Sequence, residues 1–218
     1  MIFGIKSIQE TYLILIKKLN MIEIINKNLL PPYLDFYHVL DLAQSSKQKA
    51  YDAICVSSYD PITNEVNSRF VNLKYIDNED WIFFTNYDGK KAHEFKLHNQ
   101  ISVTIYWADI NFQIRIKAKI NKCSEKFSDK HFQNRSLEKN ALALSSMQSK
   151  KIDSYESVVN NYNSTLKKAN LSKRPIYWGG FRFKPYYFEF WEGHASRINK
   201  RKVYEILGKK WQSHILQP

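Results

Sequence analysis

From residue 112 to residue 120 the side chains alternate without a break. Phe112, Ile114, Ile116, Ala118 and Ile120 fall in one set, and Gln113, Arg115, Lys117 and Lys119 fall in the other. A period of two is what a half-buried strand demands, because successive side chains of an extended chain point to opposite faces. Four more short runs rich in β-branched and aromatic residues lie upstream, at 53–58, 69–75, 81–85 and 101–107. They are parted by turn pairs such as Asp60-Pro61 and Asp77-Asn78. Five closely spaced strands predict an antiparallel barrel or sandwich. The chain returns to strand-like patterns at 178–183 and 187–191, and again around 211–216.

Helical patterns interrupt the strands. Residues 33–48 place Leu34, Tyr37, Leu40 and Leu42 at helical spacing, and residues 89–98 carry Ala92, Phe95 and Leu97. Residues 124–135 open on a Ser-Glu pair that resembles a cap, and Tyr155, Val158, Val159, Tyr162 and Leu166 form the best apolar stripe in the sequence. A further helix is expected over 8–19, after which Pro31-Pro32 interrupts the chain. No repeat and no linker divides the rest. The expectation is one α+β domain built on an antiparallel barrel over 33–218, preceded by an extension over 1–32.

The 218 residues include 33 Lys and Arg against 21 Asp and Glu, a formal net charge of +12. Such a balance invites a nucleic-acid reading, but no basic run reaches five or six residues, and a solvated basic surface explains scattered charge equally well. With 44% hydrophobic and 15% aromatic residues the chain can bury a sizeable core, which excludes an intrinsically disordered class. No apolar run approaches the roughly 18 residues of a membrane helix, and Lys6 and Glu10 interrupt any signal-like segment. Cys55 and Cys123 are far apart within apolar stretches, a poor basis for a disulfide framework or a zinc site. A soluble, cytoplasmic protein without metal, membrane or nucleic-acid partner is expected.

Several polar residues sit where a strand gives way to a turn or helix. Arg69 and Lys74 bracket one predicted strand. The run Thr85-Asn86-Tyr87-Asp88-Gly89-Lys90-Lys91-Ala92 passes from strand through turn into helix, where free backbone N–H groups and the helix dipole favour an anion and two lysines add full charges. Solvated surface is the alternative for Lys90 and Lys91. Gln113 lies on the polar side of the alternating strand, and Gln148-Ser149 are small polar donors in a loop. The segment from Trp178 to Arg201 interleaves aromatic and basic residues, which suits either a flat heterocycle with its phosphate or a buried aromatic strand followed by a basic loop.

The order of these pieces decides between the alternatives. Arg69-Phe-Val-Asn-Leu-Lys74, Phe83-Phe-Thr-Asn-Tyr-Asp-Gly-Lys-Lys-Ala-His93, Gln113, Gln148-Ser149, Trp178-Gly-Gly-Phe181, Phe190-Trp191 and Arg197…Arg201 follow one another as in the pyridoxine/pyridoxamine 5′-phosphate oxidases, and the chain resembles that family over residues 33–218. The resemblance implies a split β-barrel that dimerises, with two FMN sites at the subunit interface and residues 178–218 serving dimerisation and substrate covering. By matching position it implies that Arg69, Lys74, Thr85, Lys90, Lys91, Gln113, Gln148, Ser149, Trp191 and Arg201 hold FMN. It also implies that Lys74, His131, Arg135, Lys139 and Arg197 hold substrate, with Arg197 and Asn199 closest to the chemistry.

Among the cofactor positions only Lys90 departs from the family pattern, conservatively, where Arg is common; on the substrate side three positions depart. His131 stands where Tyr is common, Lys139 where Ser is, and Asn199 where the Arg-x-His pair supplies His. His131 and Lys139 still donate to phosphate oxygens, whereas Asn199 cannot titrate near neutral pH. The function implied is an FMN-dependent oxidase that converts pyridoxamine or pyridoxine 5′-phosphate to pyridoxal 5′-phosphate and hydrogen peroxide. The alternatives are a related flavin oxidase acting on another anionic ring compound, as in the phenazine-biosynthesis relatives, and a non-catalytic FMN- or pyridoxal-phosphate-binding protein.

Overall fold

The computed structural model describes residues 22–218, so the helix expected over 8–19 lies outside the described residues. In chain order the elements are β1 (Glu23–Asn26), α1 (Pro31–Ser45), β2 (Ala53–Asp60), β3 (Glu65–Asn72), β4 (Tyr75–Asp77), β5 (Asp80–Asn86), α2 (Lys90–Leu97), β6 (Gln100–Trp107) and β7 (Phe112–Lys122). There follow α3 (Glu125–Gln133), α4 (Leu137–Ser145), α5 (Tyr155–Lys168), β8 (Trp178–Glu192), β9 (Lys200–Leu207) and β10 (Lys210–Leu216). The ten strands form one curled sheet in the order β1-β4-β5-β8-β7-β6-β2-β3, from which β9 and β10 branch at β8. The fold is the α+β split barrel that the strand pattern and the resemblance predict.

The alternating segment is β7, and its apolar set, Ile114, Ile116, Ala118 and Ile120, is buried. Beside it the structure replaces two expected strands with one. Residues 178–192 run as the continuous strand β8, pairing with β5 through its first half, with β9 through its second, and with β7 along most of its length. Pro185 is tolerated because the β7–β8 register slips there, Lys117 facing Tyr187 while Ala118 faces Pro185. A bulge absorbs a residue that cannot donate to the ladder. In the opposite sense, residues 69–75 are not one strand. β3 stops at Asn72, and the chain turns a corner at Leu73-Lys74 fixed by Leu73 N–H to Asp52 carbonyl and Lys74 N–H to Ile82 carbonyl, each 2.8 Å.

Pro31 and Pro32 start helix α1 rather than interrupting the chain before it, since proline lacks only a donor that the first turn leaves unused. Tyr33, Phe36, Tyr37 and Leu40 of α1 are buried in the main core, where Phe36 lies 4.4 Å from Trp81 between ring centres. Residues 23–26, within the stretch expected as an extension, add an edge strand parallel to β4. Ser124 caps α3 through its hydroxyl, as its position suggests, and Ser136 caps an unexpected further helix, α4. The stripe at 155–166 is helix α5, packed against α4 with none of its residues fully buried. No helix among the described residues is long and apolar enough to cross a membrane.

Candidate functional site

A cavity of about 800 Å³ opens between the β3–β4 corner, strand β5 and helices α3 and α4, and the loop after α4 closes one side. Its size suits a cofactor-sized ligand. Seven of the sequence-predicted residues line it: Lys74, Thr85, Lys91, His131, Arg135, Lys139 and Gln148. They come from the β3–β4 corner, β5, α2, α3 and the turn after it, α4 and the loop beyond it, and they form two groups.

At one end, Lys91 Nζ donates to Gln148 Oε1 at 2.8 Å and to the Thr85 hydroxyl at 3.2 Å, and that hydroxyl donates to the same Gln148 oxygen at 3.0 Å. Lys91 stands in the first turn of α2, where unpaired backbone N–H groups add positive potential. Burial, then the nearby Arg69, lowers the Lys91 pKa, so its ammonium gains most from an incoming anion. Gly89, which caps α2, lets Gln148 approach: a Cβ there would lie 2.8 Å from Gln148 Oε1. Behind this group Arg69 is anchored, its Nη2 2.9 Å from Glu94 Oε2, and Ser58 donates to the same buried carboxylate.

At the other end, the His131 ring stacks on Phe84 at 3.6 Å and 10°, parallel to Trp178, and its Nδ1 lies 2.8 Å from the Tyr75 hydroxyl. Burial, then the charges of Arg135, Lys74 and Lys139, pushes the His131 pKa down to about 3, so the imidazole is neutral. The Arg135 guanidinium lies over the Trp178 ring at 4.3 Å and donates to the Lys139 carbonyl, while its Nη1 is buried without a partner. Burial brings its pKa down to about 10, so it stays charged at neutral pH. Lys74, at the corner, pairs with Asp52 at 2.8 Å. This end is an aromatic wall topped by three cations.

The remaining predicted residues lie elsewhere. Lys90, half exposed, reaches Glu65 at 3.5 Å and does not line the cavity, and Ser149 occupies an exposed left-handed turn with φ 69°. Gln113, Trp191 and Arg201 face one another across β7, β8 and β9 as a single row, since directly paired residues share a face. Arg201 is held there by Glu189 at 2.8 Å. Arg197, at φ 63°, and Asn199 sit in the β8–β9 loop, where Asn199 Oδ1 accepts from the His194 N–H. Within one protomer neither the row nor this loop lines the cavity. Sequence reading missed Tyr75, Phe84 and Trp178 as cavity walls and Glu94 as the anchor of Arg69. A glutamate three residues after Lys91 on a short helix was the one available signal for the last.

A curled sheet carrying a cationic, aromatic-walled cavity and, apart from it, a row of an amide, an indole and a guanidinium defines a binder of a flat anionic cofactor. The family description "Pyridoxamine 5′-phosphate oxidase" matches residues 48–165, and "Pyridoxine 5′-phosphate oxidase C-terminal dimerisation region" matches residues 178–218. The chain is 34% identical over 170 residues, 77% of each chain, to the pyridoxine/pyridoxamine 5′-phosphate oxidase of Colwellia psychrerythraea. It is 30% identical over 190 residues, 86% of this chain and 88% of the other, to the enzyme of that name from Nostoc sp.. The chain belongs to the pyridoxamine 5′-phosphate oxidase family, whose members are FMN-dependent oxidoreductases. In fold it is similar to PhzG of Burkholderia lata, solved with tetrahydrophenazine-1-carboxylic acid, at a TM-score of 0.80 and 24% identity over 89% of this chain and 94% of that one. The match to a dimerisation region supports a homodimer. The donor set fits FMN: a lysine, a hydroxyl and an amide converge at a helix start, with an arginine behind them.

Proposed function

We propose that this chain is an FMN-dependent oxidase of pyridoxamine or pyridoxine 5′-phosphate, active as a homodimer. The observation that carries the reading is one chamber with two separate sets of phosphate donors. Lys91, Thr85 and Gln148, with Arg69 behind them, suit the cofactor phosphate; Lys74, Arg135, Lys139 and His131 suit a second phosphate on a planar ring. When bound, FMN supplies a hydride acceptor for a substrate carbon and a route for the electrons to dioxygen, which leaves as peroxide.

The protein's own part is orientation and charge. Lys74 and Arg135 fix the substrate phosphate, and the Phe84–His131–Trp178 wall keeps water from one side of the chamber. The Gln113–Trp191–Arg201 row does not line the cavity of its own protomer. On a second copy it is suited to hold the flavin's polar edge and flat body, and Arg197 and Asn199 of that copy then cover the substrate. We assign residues 33–218 to this FMN-binding unit, 178–218 to its dimerisation and substrate cover, and the residues before 33 to an extension. The free thiols Cys55 and Cys123 suit the reducing cytoplasm.

The test is direct. Purified protein loaded with FMN should release peroxide with pyridoxamine or pyridoxine 5′-phosphate and not with unphosphorylated pyridoxine. Peroxide from another anionic ring compound alone would reassign the substrate. Tight binding of FMN and pyridoxal 5′-phosphate without turnover would make the chain a binding protein.

A further inference from the structure

Position 131 departs from the tyrosine common in the resembled family, and the structure surrounds the replacement with unusual care. The His131 ring is stacked on Phe84, lies parallel to Trp178, and is met edge-on by Tyr75 at 5.4 Å and 84°. Tyr75, from the short strand β4, brings its hydroxyl to 2.8 Å from Nδ1. We propose that Tyr75 is a positioning residue: it donates its hydroxyl proton to Nδ1 of His131 and locks the imidazole as the Nε2-protonated tautomer, a neutral N–H donor for the substrate phosphate. The inference rests on reading the cavity as the site of a phosphorylated ring compound.

The direction of the bond follows from counting protons. Burial raises the Tyr75 pKa, so the phenol keeps its single proton. Among the described residues no other acceptor lies within hydrogen-bond reach of that hydroxyl. If Nδ1 carried the proton and donated to the phenol oxygen, the phenol would have to turn its own proton toward the cavity, where no acceptor among the described residues stands to take it. The neutral imidazole offers one lone pair, and Tyr75 occupies it. Nε2 then carries the other proton, as the second ring nitrogen of a neutral histidine must.

The charged groups facing the ring come from every element around it. Lys74 lies at the β3–β4 corner, Arg135 in the turn after α3, Lys139 on α4, and Glu23 at the cavity rim on β1. Burial opposes a positive charge on the ring, and the three cations, faced by one acid, add to that effect, so the ring is neutral throughout the physiological range. The arrangement separates two tasks. The cations supply charge, and His131 supplies one directed donor whose state does not change with pH. A tyrosine at this position would carry a hydroxyl free to rotate its proton; here a second residue removes that freedom.

Nitrogen-15 NMR of the imidazoles in FMN-loaded protein reads the tautomer directly, with the His131→Phe variant identifying the signal. The expected result is an Nε2-protonated neutral ring that does not titrate between about pH 6 and pH 8. Tyr75→Phe should give a mixture of tautomers and weaken pyridoxal 5′-phosphate binding by about tenfold, the order expected for one hydrogen bond to a charged group. It should raise KM and leave kcat within about twofold, and the loss should vanish in a His131→Phe background, which a purely structural role of Tyr75 would not do. An Nδ1-protonated or titrating ring in the unaltered protein, or an unchanged tautomer in Tyr75→Phe, overturns the proposal. If the ring shows the expected tautomer but the FMN-loaded protein does not bind pyridoxal 5′-phosphate, the role of Tyr75 stands and the substrate reading fails.

Discussion

Replacing Arg69 with methionine separates what this residue does for the fold from what it does for the cofactor. The Glu94 side chain is 1% exposed and that of Arg69 19%. With the guanidinium gone, the carboxylate keeps only the Ser58 hydroxyl, and its Oε1 already has no partner. Breaking a buried pair from one side costs about 3–5 kcal/mol, because the remaining charge is desolvated and unpaired. For a domain of this size about 2–4 °C of melting temperature is lost per kcal/mol, so the flavin-free variant should melt roughly 6–20 °C lower. Adding Glu94→Leu removes the stranded charge, and an apolar pair of similar volume is often as stable as the ion pair, so most of the loss should be recovered. FMN affinity should stay low in both variants, since neither restores the donors. Melting must be followed without flavin, because bound ligand would shift the midpoint by itself; affinity is read by flavin fluorescence titration. A drop below about 3 °C in Arg69→Met, or native FMN affinity in the double variant, would refute the reasoning.

Further expectations concern other parts of the structure. Because His131 is held below the ordinary histidine pKa, the unfolded chain binds its proton first. Stability should therefore fall as pH drops from 6.5 towards 3, by up to about 1.4 kcal/mol per unit, and His131→Phe should flatten that limb in acid unfolding curves. Gly179→Ala would place a Cβ 2.8 Å from the Tyr87 ring carbon Cζ and displace the hydroxyl that bonds the Gly180 carbonyl; thermal melting should show a loss of about 1–3 kcal/mol. Asn199→His, which supplies the histidine that the resemblance implies at this position, should increase peroxide release with pyridoxamine 5′-phosphate. An unchanged rate would remove Asn199 from the substrate cover.

Much of the barrel was legible because period two survives wherever one face of a strand is buried, as it is along β7. The errors fell where tertiary pairing overrides local pattern. Pro185 reads as a strand end, yet the bulge against β7 carries β8 through it. Lys74 reads as the end of a strand, yet hydrogen bonds from Leu73 and Lys74 to two different strands make it a corner, which turns its side chain into the cavity. Helix α4 is short, and its pattern, Leu137, Ala141, Ala143 and Leu144, is too brief to announce itself. In the site, charged residues could be picked out as cations at strand and helix ends. Tyr75, Phe84 and Trp178 could not, because an aromatic residue lining a cavity and one filling a core have the same local sequence. Gln113, Trp191 and Arg201 are about eighty and ten residues apart, and only strand register makes them one row.

The sharing of each flavin site between two chains can be tested by complementation. Lys91→Met disables the cavity, and Gln113→Leu with Trp191→Ala disables the row. Homodimers of either variant should bind no FMN. Mixed dimers pair an intact cavity on one chain with an intact row on the other, and flavin absorbance should report one FMN per dimer. Mixed dimers that remain colourless, or row variants that keep full FMN as homodimers, would contradict a site built from both subunits.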